Sequence, residues 1–327
     1  MIKYFKPDEK KRMTRIPEFE EGCWVDLVNP TDDEVEDAVA VTGVPEEMLK
    51  AALDEEETAR SERDEECTMF LVDTPTIRDT EDGDIYETIP IALIHNSKCI
   101  VTVSLRGNPV LGDFISNRTA VDTCKPVLFI LTFMMGNAKK FLSNLRQIDK
   151  KSLRVQAELH RSMKNKELIQ LLDLENSLVY YSTSLSANIG VFSKMERLPV
   201  ISQNEEYKDL FDDVAIEMRQ AVEMCNIYRD ILSGTMDAFA SVISNNVNIV
   251  MKLLTVITII ITIPTLVASL WGMNVHVPFE NSAGGFWIII AISVVVTAVS
   301  SYFLIRMTNS IRIKTPRQKT KKKRRDE

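Results

Sequence analysis

Thr255, Thr258, Thr262, Thr265 and Ser269 follow one another at steps of 3, 4, 3 and 4 through Leu253–Trp271 (LLTVITIIITIPTLVASLW), a run with no charged residue. They are the only hydroxyl residues of that run, and all lie on one heptad seam. Met251 and Asn248 extend the seam backwards at steps of 4 and 3, with Leu254 beside it. Uncharged hydroxyl and amide oxygens suit a hydrated cation, which they touch through its water shell without holding it tightly. Ser and Thr in apolar helices also bond back to their own carbonyls or let helices pack closely. That explains their presence but not their alignment. A seam with a 3.5-residue period faces a common axis in a left-handed bundle. Such a line of oxygens implies several copies ringed about a water-filled path, with Met251 and Leu254 as an apolar constriction that gates by dewetting.

The elements that would carry the seam are two apolar spans. Leu253–Trp271 and Phe286–Ile305 (FWIIIAISVVVTAVSSYFLI) each approach the ~20 apolar residues that a bilayer requires. We place the first span at 251–271, the connecting loop at 272–285 and the second span at 286–305. The loop has no Lys or Arg, whereas Arg306–Glu327 has ten, against two Asp/Glu. The positive-inside bias then puts both termini in the cytoplasm of a two-span chain in the cell membrane. A basic tail (306–327) that begins directly after a span is read as attracted to anionic lipid rather than to nucleic acid. At the other mouth stands SLWGMNVHVPFE. Gly272 lets the backbone turn there, Asn274 would place an amide oxygen from each copy at the opening, and Glu280 would concentrate cations nearby.

The remaining chain is acidic. The net charge is -8, so the +8 tail leaves -16 for residues 1–305. Residues 1–250 read as a cytoplasmic α+β domain: an α/β head to about 130, a helical hairpin over about 131–200 and a stalk helix over 204–250. TDDEVEDAVAVTGVPEEMLKAAL opens a helix with Thr31 as N-cap and Glu34 three residues later. CTMFLVDTP, YETIPIALI and KCIVTVS read as strands. PVLFILTFMMG (126–136) is too short to span and reads as buried core. Helical spacing fills 137–198 and is stopped by Pro199. From about Asn204 no proline intervenes before Pro264, so one helix of about 90 Å would run on into the first span.

Other motifs exclude more than they assign. The five cysteines form no CxxC pair and read as reduced, mostly buried thiols. His95, His160 and His276 are far apart and match no catalytic motif, so an enzyme is not expected. There is no GxxxxGK phosphate loop, and ATP need not drive transport. The acidic run Asp54–Glu66 could ligate divalent cations, but a solvated, partly helical face is the preferred reading. The N-terminal MIKYFKPDEKKRMTR has no apolar core and is not expected to be a cleaved signal.

Gly272-Met273-Asn274 at the end of the penultimate span, with two C-terminal spans, a short hairpin and a basic tail, resembles the CorA family of divalent-cation, chiefly magnesium, channels. Tyr228–Thr255, with Arg229-Asp230, Ser233-Gly234, Asp237, Asn245, Asn248 and Met251-Lys252, resembles the family's juxtamembrane stretch, and PTDDEVEDA its N-terminal domain. The resemblance implies a CorA-like αβα cytoplasmic sandwich arranged as a funnel in a homopentamer. It implies an outer filter at Asn274, with Thr265, Met251 and Asn248 facing the pore. It also implies Mg2+ both as the ion passed and as an intersubunit regulator, with no organic cofactor. The family's regulatory stalk carboxylate falls on Asp213, beside Asp212 and Glu217. Trp271 stands where the family often has Tyr, and Val277-Pro278-Phe279-Glu280 where many members have Met-Pro-Glu-Leu. Met273 favours magnesium over zinc, because the zinc branch departs from GMN there. The competing readings are a zinc, cobalt or nickel transporter of the same fold and a non-conducting, membrane-tethered metal sensor.

Overall fold

The computed structural model describes residues 1–64, 66–80, 83–162, 165–274, 276, 278 and 284–310. It divides into two units, Met1–Met236 and Asp237–Glu327. The first unit is built on seven strands: β1 (Ile2–Pro7), β2 (Met13–Ile16), β3 (Trp24–Val28), β4 (Arg60–Arg63), β5 (Thr68–Thr80), β6 (Gly83–His95) and β7 (Ile100–Ser104). They lie in the order β2-β1-β3-β7-β6-β5-β4, and only β3 and β7 run parallel.

Two-residue alternation sends successive side chains to opposite faces of this sheet. Trp24, Phe70, Ile91 and Ile100 join one core, while Val25, Leu71, Ala92 and Val101 join the other. The second core is covered by α1 (Asp32–Thr42), α2 (Glu46–Lys50) and a 3-10 turn at Ala51–Leu53. The first is covered by α3 (Pro109–Ile115), α4 (Pro126–Ser162), α5 (Asn165–Met195), α6 (Pro199–Gln203) and the start of α7 (Glu205–Trp271). Helices on both faces of one sheet make an αβα sandwich.

Local chemistry explains the helix ends. Thr31 accepts from the Glu34 amide at 3.3 Å while the Glu34 carboxylate accepts from the Thr31 amide at 3.0 Å, the reciprocal cap expected of that spacing. Gly43 closes α1 at φ 72, in the left-handed region that glycine enters without strain. The apolar stretch 126–136 opens α4, and Phe129, Ile130, Leu131, Phe133 and Met134 are buried against the sheet. Asn188 on α5 brackets the Asp73 backbone, accepting from its N–H and donating to its carbonyl, both at 2.8 Å. Asn137 on α4 donates to the same carbonyl at 2.9 Å. These amides pin the hairpin to β5.

Three expectations need correction. The acidic run is not partly helical: Arg60–Arg63 is the edge strand β4, paired with β5 from Arg60↔Leu71 to Arg63↔Thr68. The hairpin starts earlier than expected, at Pro126. Pro199 opens α6 as well as ending the hairpin, since proline fits the first turn of a helix. As expected, by contrast, the stalk and the first apolar segment are one helix of 67 residues, which continues through Pro264.

In the second unit, α7 continues to Trp271 and α8 runs Gly285–Ser310. Both helices are long and apolar enough to cross a membrane. Aromatic pairs stand at the start of α8 and two turns before its end. Phe286 and Trp287 meet edge to face at 5.6 Å, and Tyr302 and Phe303 stand more than 60% exposed. The pairs are about 24 Å apart along the helix, near the depth of a hydrocarbon core and matching the aromatic belts of membrane interfaces.

Candidate functional site

One turn of helix takes 3.6 residues, so each position is rotated about 100° from the last. On that wheel Asn248, Met251, Leu254, Thr255, Thr258, Thr262, Thr265 and Ser269 share one side of α7, and each is exposed in the single chain. Of the less exposed positions, Val256, Ile263, Pro264, Val267 and Trp271 lie on the opposite side, and Ile259 borders the seam. The helix therefore keeps its hydroxyl seam on its uncovered face.

The hydroxyls themselves are oriented. Thr255 donates to the Met251 carbonyl at 2.8 Å, Thr258 to Leu254 at 2.8 Å, Thr262 to Thr258 at 2.7 Å and Thr265 to Ile261 at 2.8 Å. This is the back-bonding that alone would make the threonines ordinary helix residues. It also spends each hydroxyl proton, so what the oxygens offer outward is lone pairs. An acceptor-only wall matches a hydrated cation, whose shell waters point their hydrogens outward. It mismatches a hydrated anion, whose shell presents oxygen.

At the end of α7, the Gly272 amide still closes on the Ala268 carbonyl at 2.9 Å. A Cβ at Gly272 would stand 3.2 Å from that oxygen, so glycine suits this close turn. Met273 and Asn274 follow, both exposed. Trp271, singled out in the sequence only as a departure from the family pattern, donates from Nε1 to the Pro278 carbonyl at 3.1 Å. An N–H-bearing aromatic directly before a helix-ending glycine was the available signal. Glu280 and residues 311–327 of the basic tail lie outside the described residues.

The stalk carboxylates Asp212 and Asp213 are exposed on α7 in the first unit, flanking the buried Phe211 and Val214. Glu217 is half-buried one turn on. Among the described residues, no three His, Cys, Asp or Glu side chains form a group able to hold a metal ion. Three carboxylates of the acidic run face arginines: Glu57 and Glu62 pair with Arg60 at 2.6 and 3.3 Å, and Glu55 with Arg106 at 3.3 Å. All five cysteines are free, with Cys124 exposed and four buried. Burial pushes the Cys99 thiol to about 12 and Cys225 to about 11, far from thiolate reactivity. Burial and the Arg63 charge push His95 below its usual value, which favours a neutral imidazole.

A mixed αβα sandwich whose last helix runs on into an apolar segment with a hydroxyl seam, followed by a second apolar helix, defines the class: an α/β domain joined to two helices long and apolar enough to cross a membrane. The chain belongs to the family of CorA-like Mg2+ transporter proteins, which matches residues 19–306. It is 25% identical over 292 residues to the cobalt/magnesium transport protein CorA of Methanocaldococcus jannaschii, covering 86% of this chain and 90% of that one. The complete CorA structure from the same organism superposes with a TM-score of 0.77 at 22% identity, over 93% of this chain and 96% of that one. The full-length CmaX protein gives 0.70 at 15% identity, over 94% and 97%. These structural likenesses establish the shared fold.

Proposed function

We propose that copies of this chain assemble as a homopentamer around the seam of α7 and pass Mg2+ down the membrane potential. The observation that carries the reading is the acceptor-only wall: four threonine protons are committed to the helix itself, and the oxygens line its uncovered face. A divalent ion entering an inside-negative cell gains roughly 4.6 kcal/mol per 100 mV, twice the single-charge figure. No nucleotide is required, and the protein acts as a transporter rather than an enzyme.

In this reading residues 1–250 and the tail 306–327 are cytoplasmic, and 251–305 cross the membrane. Gly272, Met273 and Asn274 form the outer filter, with Glu280 adding negative charge, and Met251 and Leu254 form the apolar constriction. Cytoplasmic Mg2+ holds the channel closed through stalk carboxylates of neighbouring copies, Asp213 with Asp212. The basic tail meets anionic headgroups. Cobalt is a second candidate ion, because the curated relative's name pairs it with magnesium.

The test is flux through purified protein in liposomes under an imposed potential, with Mg2+ varied on the cytoplasmic side. Mg2+ should enter, Asn274→Ala should abolish entry, and hexaamminecobalt, a mimic of hydrated Mg2+, should block it. Absence of flux would leave a metal sensor. Flux that hexaamminecobalt does not inhibit would favour a dehydrating transition-metal site.

A further inference from the structure

The Trp271–Pro278 contact does more than tidy a loop. Its two partners stand seven residues apart and enclose Gly272, Met273 and Asn274. On one side the segment is held by the helix, through the Gly272 amide. On the other it is held by the indole N–H. Pro278 is suited to be the anchor: it has no amide proton, so its carbonyl is its only backbone hydrogen-bonding group, and its ring fixes φ. Trp271 is partly covered while the three residues after it are exposed, so the fixed part of this mouth is the indole.

We propose that Trp271 is a positioning residue for the outer mouth, its N–H bond to Pro278 setting where the Asn274 amide stands. This rests on the reading of Asn274 as the filter. Without the bond, the segment samples more conformations and the ring of amides loosens. Half-saturation by Mg2+ should rise and discrimination against Co2+ should fall, while the seam and the maximal flux change less.

Two substitutions separate the donor from the bulk of the ring. Phe keeps a large aromatic ring and has no N–H. His is smaller, but its Nε2 lies two bonds from Cγ in a five-membered ring, as the indole Nε1 does. A packing role ranks Phe above His, and a donor role ranks His above Phe.

The experiment compares full-length wild type, Trp271→Phe, Trp271→His and Asn274→Ala in proteoliposomes at about pH 8, where histidine is uncharged. Trp271→Phe should raise the Mg2+ half-saturation about three- to tenfold, the size of one neutral hydrogen bond, and Trp271→His should recover most of it. Independently of transport, indole N–H exchange of 15N-tryptophan protein reads the bond itself. The buried Trp24, bonded to Thr102 Oγ1 at 2.9 Å, sets the slow limit, and Trp287, 71% exposed, sets the fast one. Trp271 should fall between them. Exchange as fast as Trp287, or Phe performing as well as His, overturns the proposal. If Asn274→Ala transports normally, the filter reading fails and the positioning role fails with it, while slow exchange at Trp271 would still establish the bond.

Discussion

A threonine whose proton is committed to its own helix acts outwardly as an acceptor, and this can be tested one residue at a time. Thr258→Val and Thr262→Val keep side-chain shape and delete the oxygen. Each should lower Mg2+ flux several-fold, whereas Thr297→Val, whose hydroxyl bonds the Ser293 carbonyl on α8, should leave it near wild type. Equal flux in all three would remove the acceptor wall from the mechanism. The 3-4-3-4 spacing of the hydroxyls was legible in the sequence; the direction of their protons was not, since rotamers follow from the folded helix. Asp26 makes a second case at this scale. It is buried in the sheet, and its carboxylate accepts from Thr102 Oγ1 at 2.8 Å. Burial raises its pKa, and the Thr102 bond only partly opposes this. The unfolded chain therefore loses this proton first. The stability linked to protonated Asp26 is complete below the ordinary carboxyl range and is lost as pH rises through the folded-state value. Asp26→Asn should flatten the melting temperature between about pH 4 and about pH 7 relative to wild type.

At the scale of elements, the close approach of α3 and α4 is the sharpest constraint. A Cβ on Gly136 would lie 2.6 Å from Val110 Cγ1, and Val110 is β-branched and buried. Gly136→Ala should cost about 1–3 kcal/mol in denaturant melts, the usual price of overpacking, and Val110→Ala in the same chain should return part of it. If the two changes simply add, the contact is not where the strain lies. Elements with strong local signals were readable: α1 from its cap, β5 to β7 from their β-branched runs, and α7 from its uninterrupted periodicity. The missed elements depend on partners distant in sequence. IKYFKP mixes lysines with aromatics and becomes β1 because β2 and β3 flank it. RSER has no apolar residue and becomes β4 because β5 supplies its register. The seven-residue α3 is set by Asn108, which accepts from the Val110 and Leu111 amides, a cap too short to stand out from a loop. The Trp271 bond was hidden for a related reason, since it depends on the path of the loop as well as on residue types.

For the whole molecule, the decisive question is which side of α7 meets its copies. With Cys124→Ser removing the exposed thiol, Met251→Cys should cross-link neighbouring chains in membranes under mild oxidation. Val256→Cys, about 140° round the helix from Met251, should not. The reverse pattern would turn the seam towards lipid and end the channel reading. One consequence of the threonine bonding concerns the chain before it has companions. A polar group in hydrocarbon costs several kcal/mol when its hydrogen bond is unmade, yet these hydroxyls carry their bonding partner with them. A newly inserted protomer can thus rest among acyl tails with little penalty and wait for its fellows, so insertion need not be synchronised with assembly.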